Sequence, residues 1–308
     1  MAAAGDATSP EREARGPASK KRINGFEMFY EVAGGGFSIA FVPGGFGGVM
    51  STLSPEVHPW LDRFARRYRV ITYHRRGTGR SGYPDGGYSL ENFARDLRGL
   101  LDHLGIERSH VIGDSSGGPI AIAYALAYPE TVKGLVLAST ATRLFREGAP
   151  SDDLRERVAL LDREGKEAAY DAPRSPPPLN MDAFIRARLL AATPEELAES
   201  RERHEKLQRL IRKASRKDRV RWYAGETRNY AAFLRSDLDG RLSELAMPVF
   251  IIHGEADSIV PVAGGRRLHE GIPGSELRIL PGAEHGLMNN EDAQSAILDF
   301  LARLDEAG

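Results

Sequence analysis

The sequence contains no cysteine, so it forms no disulfide and offers no thiolate for catalysis. This absence fits a reducing compartment, and we expect a cytoplasmic location. No apolar run approaches the roughly 18 residues that a membrane span needs, so we expect no membrane partner. Neither sign of charge dominates, because 42 basic residues stand against 43 acidic ones. That balance gives no reason to expect a nucleic-acid partner.

The 308 residues are long for one domain and short for two independent ones, and such a chain can bury a large core. Residues 1–21 are mostly Ala, Gly, Pro, Ser and charged residues. They lack the apolar segment of a secretory signal. We predict that residues 1–21 form a disordered leader, because they bury too little apolar surface to offset the entropy lost on ordering.

After the leader, segments typical of strands alternate with segments typical of helices. YRVITYHRRG and GLVLAST, which begin at Tyr68 and Gly134, are rich in the β-branched residues that strands favour. LENFARDLRGLLDHLG, from Leu90 to Gly105, spaces its apolar residues as a helix does and ends at a glycine. Strands joined through helices by short connections predict an α/β fold, with a mainly parallel sheet and helices on both of its faces.

The middle of the chain breaks this alternation. Between about residues 143 and 241 no segment has a convincing strand pattern, and residues 194–217 have the narrow apolar stripe of one long, mostly exposed helix. We therefore predict a helical cap over residues 143–241, inserted between two parts of a core domain, residues 22–142 and 242–308. Near its C-terminal end lie four aromatic residues that either line an apolar substrate pocket or anchor the cap to the core: Trp222, Tyr223, Tyr230 and Phe233.

The segment HVIGDSSGGPIAI has the pattern of a strand, a glycine-rich turn and a helix. A nucleophilic serine in such a turn needs glycine two residues before and after it, because a side chain there would collide with the neighbouring strand or helix. Ser115 meets both demands through Gly113 and Gly117. Ser116 does not, because Asp114 lies two residues before it. The pattern predicts Ser115 as a nucleophile, and a glycine-rich turn that binds phosphate is the alternative at this point.

Four segments, in this order, resemble those of the α/β-hydrolase superfamily between about Arg22 and Leu304. They are YHRRGTGRSGYP after the fourth strand, GDSSGG at the nucleophile turn, HGEADSIVP at the acid turn and AEHGLMNN at the histidine turn. The resemblance implies an eight-stranded, mainly parallel sheet with a helical cap. The carboxylate nucleophile of haloalkane dehalogenases and epoxide hydrolases is not expected, because Asp114 is one residue out of register.

A serine hydroxyl is a weak nucleophile, so a base must take its proton and a carboxylate must orient that base. In this superfamily the three residues follow in the order serine, acid, histidine. Asp257 follows the predicted strand PVFIIHG and His285 follows LRILPG, so both lie where open α/β sheets bind ligands. We predict Ser115, Asp257 and His285 as the catalytic residues, and a structural role for His253.

Attack on a carbonyl also needs backbone N–H groups aimed at the negative charge that develops on its oxygen. The amide of Ser116 is predicted as one of them, because it follows the nucleophile at the N-terminus of a helix. Members of the superfamily supply the second from a His-Gly-X segment, where this chain has Pro-Gly-Gly-Phe ending at Phe46. The resemblance implies the amide of Gly45 as the first choice for this oxyanion hole and that of Phe46 as the next.

These predictions favour a hydrolase that cleaves a carboxylic ester or lactone of a small, largely apolar molecule through an acyl-enzyme intermediate. The resemblance to enol-lactonases and other capped esterases implies this class of bond. We expect a small-molecule substrate, no cofactor and no metal, and a monomer or homodimer.

The superfamily leaves several alternatives open. Prolyl aminopeptidases cleave peptides with the same three residues, and meta-cleavage hydrolases break carbon–carbon bonds. Cofactor-free oxygenases and perhydrolases share the fold. A receptor or a biosynthetic cyclase, in which binding matters more than turnover, is the alternative from another class of function, since fold alone does not determine activity.

Overall fold

The computed structural model describes residues 18–47, 60–144, 149–172, 205, 209, 212–234 and 237–307. Within them one sheet contains eight strands: β1 (Ser19–Ile23), β2 (Phe26–Ala33), β3 (Ser38–Val42), β4 (Arg69–Tyr73), β5 (Ser109–Asp114), β6 (Val132–Ala138), β7 (Val249–Gly254) and β8 (Glu276–Leu280). Their spatial order is β1-β2-β4-β3-β5-β6-β7-β8. The β1–β2 and β2–β4 pairs are antiparallel and all the other pairs are parallel, which confirms the predicted mainly parallel sheet.

Helices cover both faces of this sheet, as predicted. In the described part of the chain they are α1 (Leu61–Ala65), α2 (Leu90–His103), α3 (Gly117–Ala127), α4 (Ala149–Asp171), α5 (Arg216–Leu234), α6 (Ala263–Gly271) and α7 (Glu291–Glu306). One apolar core joins the sheet to α2, α3 and α6, and a second joins its other face to α1 and α7. The sheet is therefore buried on both sides, which explains why its central strands are continuous apolar runs.

The first strand begins inside the predicted leader. Residues 19–21 belong to β1, so the predicted boundary of the leader at residue 21 is wrong, and residues 1–17 lie outside the described residues. Asn24 and Gly25 close a two-residue hairpin between β1 and β2, with φ of 43° and 89°. Asn-Gly favours such a turn, because both positions need positive φ. This turn allows a strongly charged segment to pair as an edge strand.

The insertion between β6 and β7 contains no strand among its described residues. Its helices are α4 and α5, and most of the predicted long helix over residues 194–217 lies outside the described residues. The prediction that one helix runs on to residue 217 is wrong, because α5 starts anew at Arg216. The hydroxyl of Ser215 accepts a hydrogen bond from the amide of Asp218 at 3.1 Å, as helix N-caps do.

Helix α5 lies directly on the segment that follows β4. The buried side chain of Asn229 donates hydrogen bonds to the carbonyls of Arg76, at 3.2 Å, and Gly225, at 2.8 Å. Gly225 faces the carbonyl of Gly77 so closely that a Cβ at Gly225 would collide with it. The contact brings α5 over the carboxyl edge of the sheet, where β3, β4 and β5 end. No helix in the described ranges is long and apolar enough to cross a membrane.

A buried ion pair joins the segment after β4 to α2. Arg76 Nε and Nη2 lie 2.7 and 2.6 Å from the two carboxylate oxygens of Asp96, and both side chains are less than one-tenth exposed. Asn24 Nδ2 donates to the same carboxylate at 3.1 Å. The pair thereby ties the β1–β2 hairpin, the β4 segment and α2 together.

We expect Asp96→Ala to lower the free energy of unfolding by about 3–5 kcal/mol, because it leaves a buried guanidinium without its partner. The matched control is Glu276→Ala, which breaks the exposed pair with Arg303 and costs about 0–1 kcal/mol. Urea denaturation of both variants measures the difference. Equal losses in the two variants would contradict the structural importance of the buried pair.

Candidate active site

Ser115 occupies a strained turn between β5 and α3. Its φ of 51° lies in the left-handed region that non-glycine residues rarely adopt. A Cβ on Gly113 would lie 2.7 Å from Cβ of Ala121, and a Cβ on Gly117 would overlap the carbonyl of Val42. Glycine at both positions is therefore required by packing, as the sequence pattern predicted, and the serine side chain is presented at the carboxyl edge of the sheet.

Both peptide groups of Ser115 are held in place. Its amide donates to the carbonyl of Ala138 at 2.9 Å. Its carbonyl accepts hydrogen bonds from the amide of Gly118 at 3.0 Å and from the hydroxyl of Thr140 at 2.6 Å. Strained backbone persists only where surrounding contacts fix it, and these three bonds do so here.

The structure brings the three predicted catalytic side chains together from three separate turns. His285 Nε2 lies 3.0 Å from Ser115 Oγ, and His285 Nδ1 lies 2.8 Å from Asp257 Oδ2. Because an ionised Asp257 only accepts hydrogen bonds, Nδ1 carries the ring proton and Nε2 is left to accept the serine proton. These distances are the ones that a nucleophile, a base and an orienting carboxylate need, and the three catalytic roles stay predictions.

The carboxylate of Asp257 is fully buried and well supported. Its Oδ1 accepts hydrogen bonds from the amides of Ile259, at 3.0 Å, and Val260, at 2.8 Å. Burial raises the pKa of this carboxyl, but the hydrogen bonds from His253 and His285 outweigh burial, and the net pKa lies below its ordinary value. Asp257 is therefore ionised at neutral pH and accepts the hydrogen bond from His285 Nδ1.

His253 lies at the end of β7 and is completely buried. Its Nε2 donates to the carbonyl of Val260 at 2.8 Å and lies 3.4 Å from Asp257 Oδ2. It closes the turn that carries Asp257 and touches neither Ser115 nor His285 through any described hydrogen bond. This placement agrees with the structural role predicted for it.

The loop of residues 43–46, called the oxyanion loop below after the role predicted for it, lies against Ser115. A Cβ on Gly44 would stand 2.9 Å from Cβ of Ser115. Ser116 Oγ donates to the carbonyl of Gly45 at 2.7 Å, and Ser116 is the N-cap residue of α3. Two of the residues predicted for the oxyanion hole, Gly45 and Ser116, thus contact each other beside Ser115, and the role of these two and of Phe46 in binding an oxyanion stays a prediction.

The aromatic residues predicted for substrate binding divide into two groups. Tyr230 stacks on Phe46, with ring centroids 4.3 Å apart, and Phe233 packs edge-on to the same ring at 5.2 Å. Tyr223 instead packs inside the insertion, against Tyr170 of α4. Trp222 is partly exposed and contributes to neither contact. The first group anchors α5 to the oxyanion loop, so for these residues the structure favours the anchoring interpretation.

Two charged residues beside the site were not assigned a catalytic role by the sequence. Arg75, within a run of two arginines at the end of β4, contacts the oxyanion loop. Asp114 precedes the nucleophile, and its Oδ2 lies 3.3 Å from the position of a Cβ on Gly44. Its Oδ1 is buried and has no hydrogen-bond partner among the described residues. Within those residues no three His, Asp or Glu side chains converge as metal ligands would.

Two carboxyl groups near His285 have opposite pKa shifts. Burial raises the pKa of Asp114 to about 6; the charge of His285 opposes this rise and that of Asp257 adds to it. Asp257, in contrast, is ionised and hydrogen-bonded. The two groups therefore differ in protonation just below neutral pH, although both lie close to one imidazole.

Comparison with known proteins gives a consistent family. The model of the alpha/beta hydrolase fold family matches residues 38–291. RutD of Agrobacterium fabrum, a candidate carbamate hydrolase, is 30% identical over 271 residues, 85% of this chain and 92% of that protein. The 2-hydroxy-6-oxononadienedioate/2-hydroxy-6-oxononatrienedioate hydrolase of Paraburkholderia phymatum is 32% identical over 250 residues, 79% of this chain and 80% of that protein.

A solved structure extends the likeness to the fold as a whole. The enol-lactonase from Burkholderia xenovorans superposes with a TM-score of 0.63 at 24% identity and covers 93% of this chain and 99% of its own. At this level of identity the likeness concerns the fold alone.

The raised pKa of Asp114 predicts that this residue destabilises the fold at high pH. A carboxyl whose pKa rises from 3.8 to about 6 favours folding when protonated, and this advantage is lost as pH rises through 6. We expect Asp114→Asn to raise the free energy of unfolding at pH 8, by about 2 kcal/mol more than at pH 4.5.

Urea denaturation at the two pH values measures this difference. The control is Asp102→Asn, because the side chain of Asp102 on α2 is exposed and its ion pair with Arg98 contributes little, so its removal brings no such gain. A change for Asp114→Asn that is independent of pH would contradict the assignment.

Proposed function

Because the chain belongs to the alpha/beta hydrolase fold family, we propose that it is a serine hydrolase that cleaves a carboxylic ester or lactone of a small, largely apolar molecule. The observation that carries this proposal is the geometry of three side chains. Ser115 Oγ lies 3.0 Å from His285 Nε2, and His285 Nδ1 lies 2.8 Å from Asp257 Oδ2. Both distances lie within hydrogen-bond reach, as nucleophile activation requires.

In the first proposed step, His285 Nε2 takes the hydroxyl proton of Ser115 while Oγ attacks the carbonyl carbon. The ionised Asp257 stabilises the imidazolium that forms. The tetrahedral intermediate then expels the alkoxide, which receives the proton from His285 and leaves as the alcohol. In a lactone the alcohol remains attached to the acyl group. The product of this step is an acyl-serine on the enzyme.

In the second proposed step, water reaches the acyl-serine from the side of His285. The water oxygen attacks the acyl carbon while His285 takes one of the water protons. His285 later returns that proton to Ser115 Oγ. The carboxylic acid is released. These steps use side chains and backbone amides alone.

The negative oxygen of both tetrahedral intermediates requires donors next to Ser115. The amide of Ser116 has no hydrogen-bond acceptor among the described residues and lies at the N-terminus of α3, where the helix dipole favours an anion. Gly44 lies against Ser115, which supports the amide of the next residue, Gly45, as the second donor. We assign these two amides to the oxyanion hole.

The surroundings of the oxyanion loop support an apolar substrate. Phe46 follows Gly45 directly and is only partly buried, although Tyr230 and Phe233 of α5 pack against its ring. Ligand pockets are mostly apolar with a few placed polar groups, and this pattern fits Ser115 and its two amides beside aromatic rings. An acyl chain that contacts Phe46 would bury apolar surface on binding.

The relative from Paraburkholderia favours a second candidate, hydrolysis of a carbon–carbon bond next to a ketone. Its name describes a substrate with two carboxylates. In this chain the carboxyl of Asp114 lies beside Ser115, and its pKa of about 6 leaves it ionised at neutral pH. An ionised Asp114 would repel a dianionic substrate, so an uncharged ester or lactone fits this site better.

The proposal is tested by hydrolysis of p-nitrophenyl acetate and butyrate. We expect Ser115→Ala to lose at least about 10⁴-fold in kcat/KM, because removal of the nucleophile of a triad abolishes the covalent route. The matched control is Ser109→Ala, at the far end of the same strand. The Ser109 hydroxyl is buried and has no hydrogen-bond partner in the described part of the chain, so its removal should leave kcat/KM unchanged.

Two results would overturn the proposal. One is hydrolysis that survives in Ser115→Ala, which would place the reaction elsewhere. The other is faster turnover of a 2-hydroxy-6-oxo dienedioate than of any ester or lactone tested, which would favour the second candidate.

A further inference from the structure

We propose that Arg75 is a positioning residue for the oxyanion loop. Its charge, which no carboxylate among the described residues balances, would also help the oxyanion hole to bind negative charge. The inference rests on the proposed serine hydrolysis and deepens it. Arg75 does not approach the substrate in this role. It acts through the backbone of the loop that supplies one of the two amides.

The guanidinium of Arg75 binds two carbonyl groups of this one loop. Nη2 donates to the carbonyl of Gly45, and Nη1 donates to the carbonyl of Pro43 at 3.4 Å. The planar guanidinium presents its donors in a fixed fork, so two carbonyls bound to it are fixed relative to each other. Arg75 is only 3% exposed, so bulk water competes little with the two carbonyls for its donors.

Fixing these carbonyls also fixes the directions of the amides. In a trans peptide the C=O and the following N–H point in opposite directions, because the group is planar. Anchoring the carbonyls of Pro43 and Gly45 therefore sets the planes of the Pro43–Gly44 and Gly45–Phe46 peptides. The Gly44–Gly45 peptide, which carries the amide of Gly45, is held between these two anchored planes. The hydroxyl of Ser116 donates to the same Gly45 carbonyl at 2.7 Å. This bond fixes the anchored peptide relative to the turn that carries Ser115.

The charge of Arg75 is not neutralised by a carboxylate. Among the described residues no Asp or Glu lies within ion-pair distance of it, whereas its neighbour Arg76 is paired with Asp96. Burial lowers the pKa of Arg75 to about 10, so it is still charged at neutral pH. A buried cation without a counter-charge is costly for stability, and such a cost is typical of functional sites.

The guanidinium of Arg75 lies on the carbonyl side of the oxyanion loop. Its positive charge favours a negative charge bound by the amides of that loop. The positive charge polarises the Gly45–Phe46 peptide and adds to the field of the loop amides at the position of the oxyanion. This contribution grows as the carbonyl oxygen of the substrate becomes negative in the transition state. Loss of the charge should therefore reduce kcat more than it raises KM.

Aromatic rings enclose the guanidinium from α2 and α5. Its carbon lies 5.9 Å from the ring centroid of Phe93 and 5.8 Å from that of Phe233. Phe233 also packs on Phe46, as Tyr230 does. The same helix of the insertion thus covers both the cation and the loop that the cation holds.

The test compares Arg75→Met, Arg75→Lys and the wild type on p-nitrophenyl butyrate, with Ser115→Ala included. A trifluoromethyl ketone of similar chain length, which forms an anionic tetrahedral adduct with serine, is measured as an inhibitor. We expect Arg75→Met to lose about 10²–10³-fold in kcat with little change in KM, and to lose affinity for the ketone by a similar factor. Arg75→Lys, which keeps the charge without the fork, should recover part of both.

The matched control is Arg80→Met, an exposed arginine of the same segment that stacks on Phe29, and it should retain the wild-type kcat. Thermal unfolding of each variant identifies losses that come from misfolding, and Arg75→Lys serves as the test variant if Arg75→Met does not fold. Turnover that needs Ser115 establishes the proposed function separately. A wild-type kcat in the folded Arg75 variants, or a loss confined to KM or to thermal stability, would then overturn the positioning role alone.

Discussion

The left-handed backbone of Ser115 is the constraint on which the rest of the site depends. A φ of 51° at a serine is unfavourable by itself. It is sustained because Gly113 and Gly117 allow α3, β3 and β5 to approach within contact distance, and because Ala138 and Thr140 bind the peptide groups of the serine. The packing of α3 against the sheet thereby stabilises the strained turn that presents the Ser115 hydroxyl at the carboxyl edge of the sheet.

Three ionisable side chains near that hydroxyl, those of Asp257, Asp114 and Arg75, lie in different environments. Asp257 is buried, but hydrogen bonds from His253, His285 and backbone amides keep it ionised, as the proposed orientation of His285 requires. Among the described residues Asp114 has no such donors, and burial raises its pKa instead. Arg75 is buried among carbonyls and aromatic rings rather than beside a carboxylate. Proton transfer at His285 and oxyanion stabilisation at Ser116 and Gly45 would depend on these three environments.

Much of this arrangement could be predicted from sequence because its signals are local. The apolar spacing of α2 and the glycines around Ser115 each require only a few neighbouring residues. The hairpin at Asn24 was missed although its turn is a strong signal, because β1 is mostly charged and only Ile23 is deeply buried. The role of Arg75 could not be predicted, since the carbonyls that a guanidinium reaches depend on how distant strands come together.

The central claim is that Ser115, and neither Ser116 nor Asp114, is the nucleophile. The most direct measurement is reaction of the native protein at neutral pH with a fluorophosphonate, followed by peptide mapping by mass spectrometry. The account predicts a single adduct on Ser115 that does not form after heat denaturation, because only the folded site activates the hydroxyl. Absence of an adduct, or an adduct on Ser116, would contradict it.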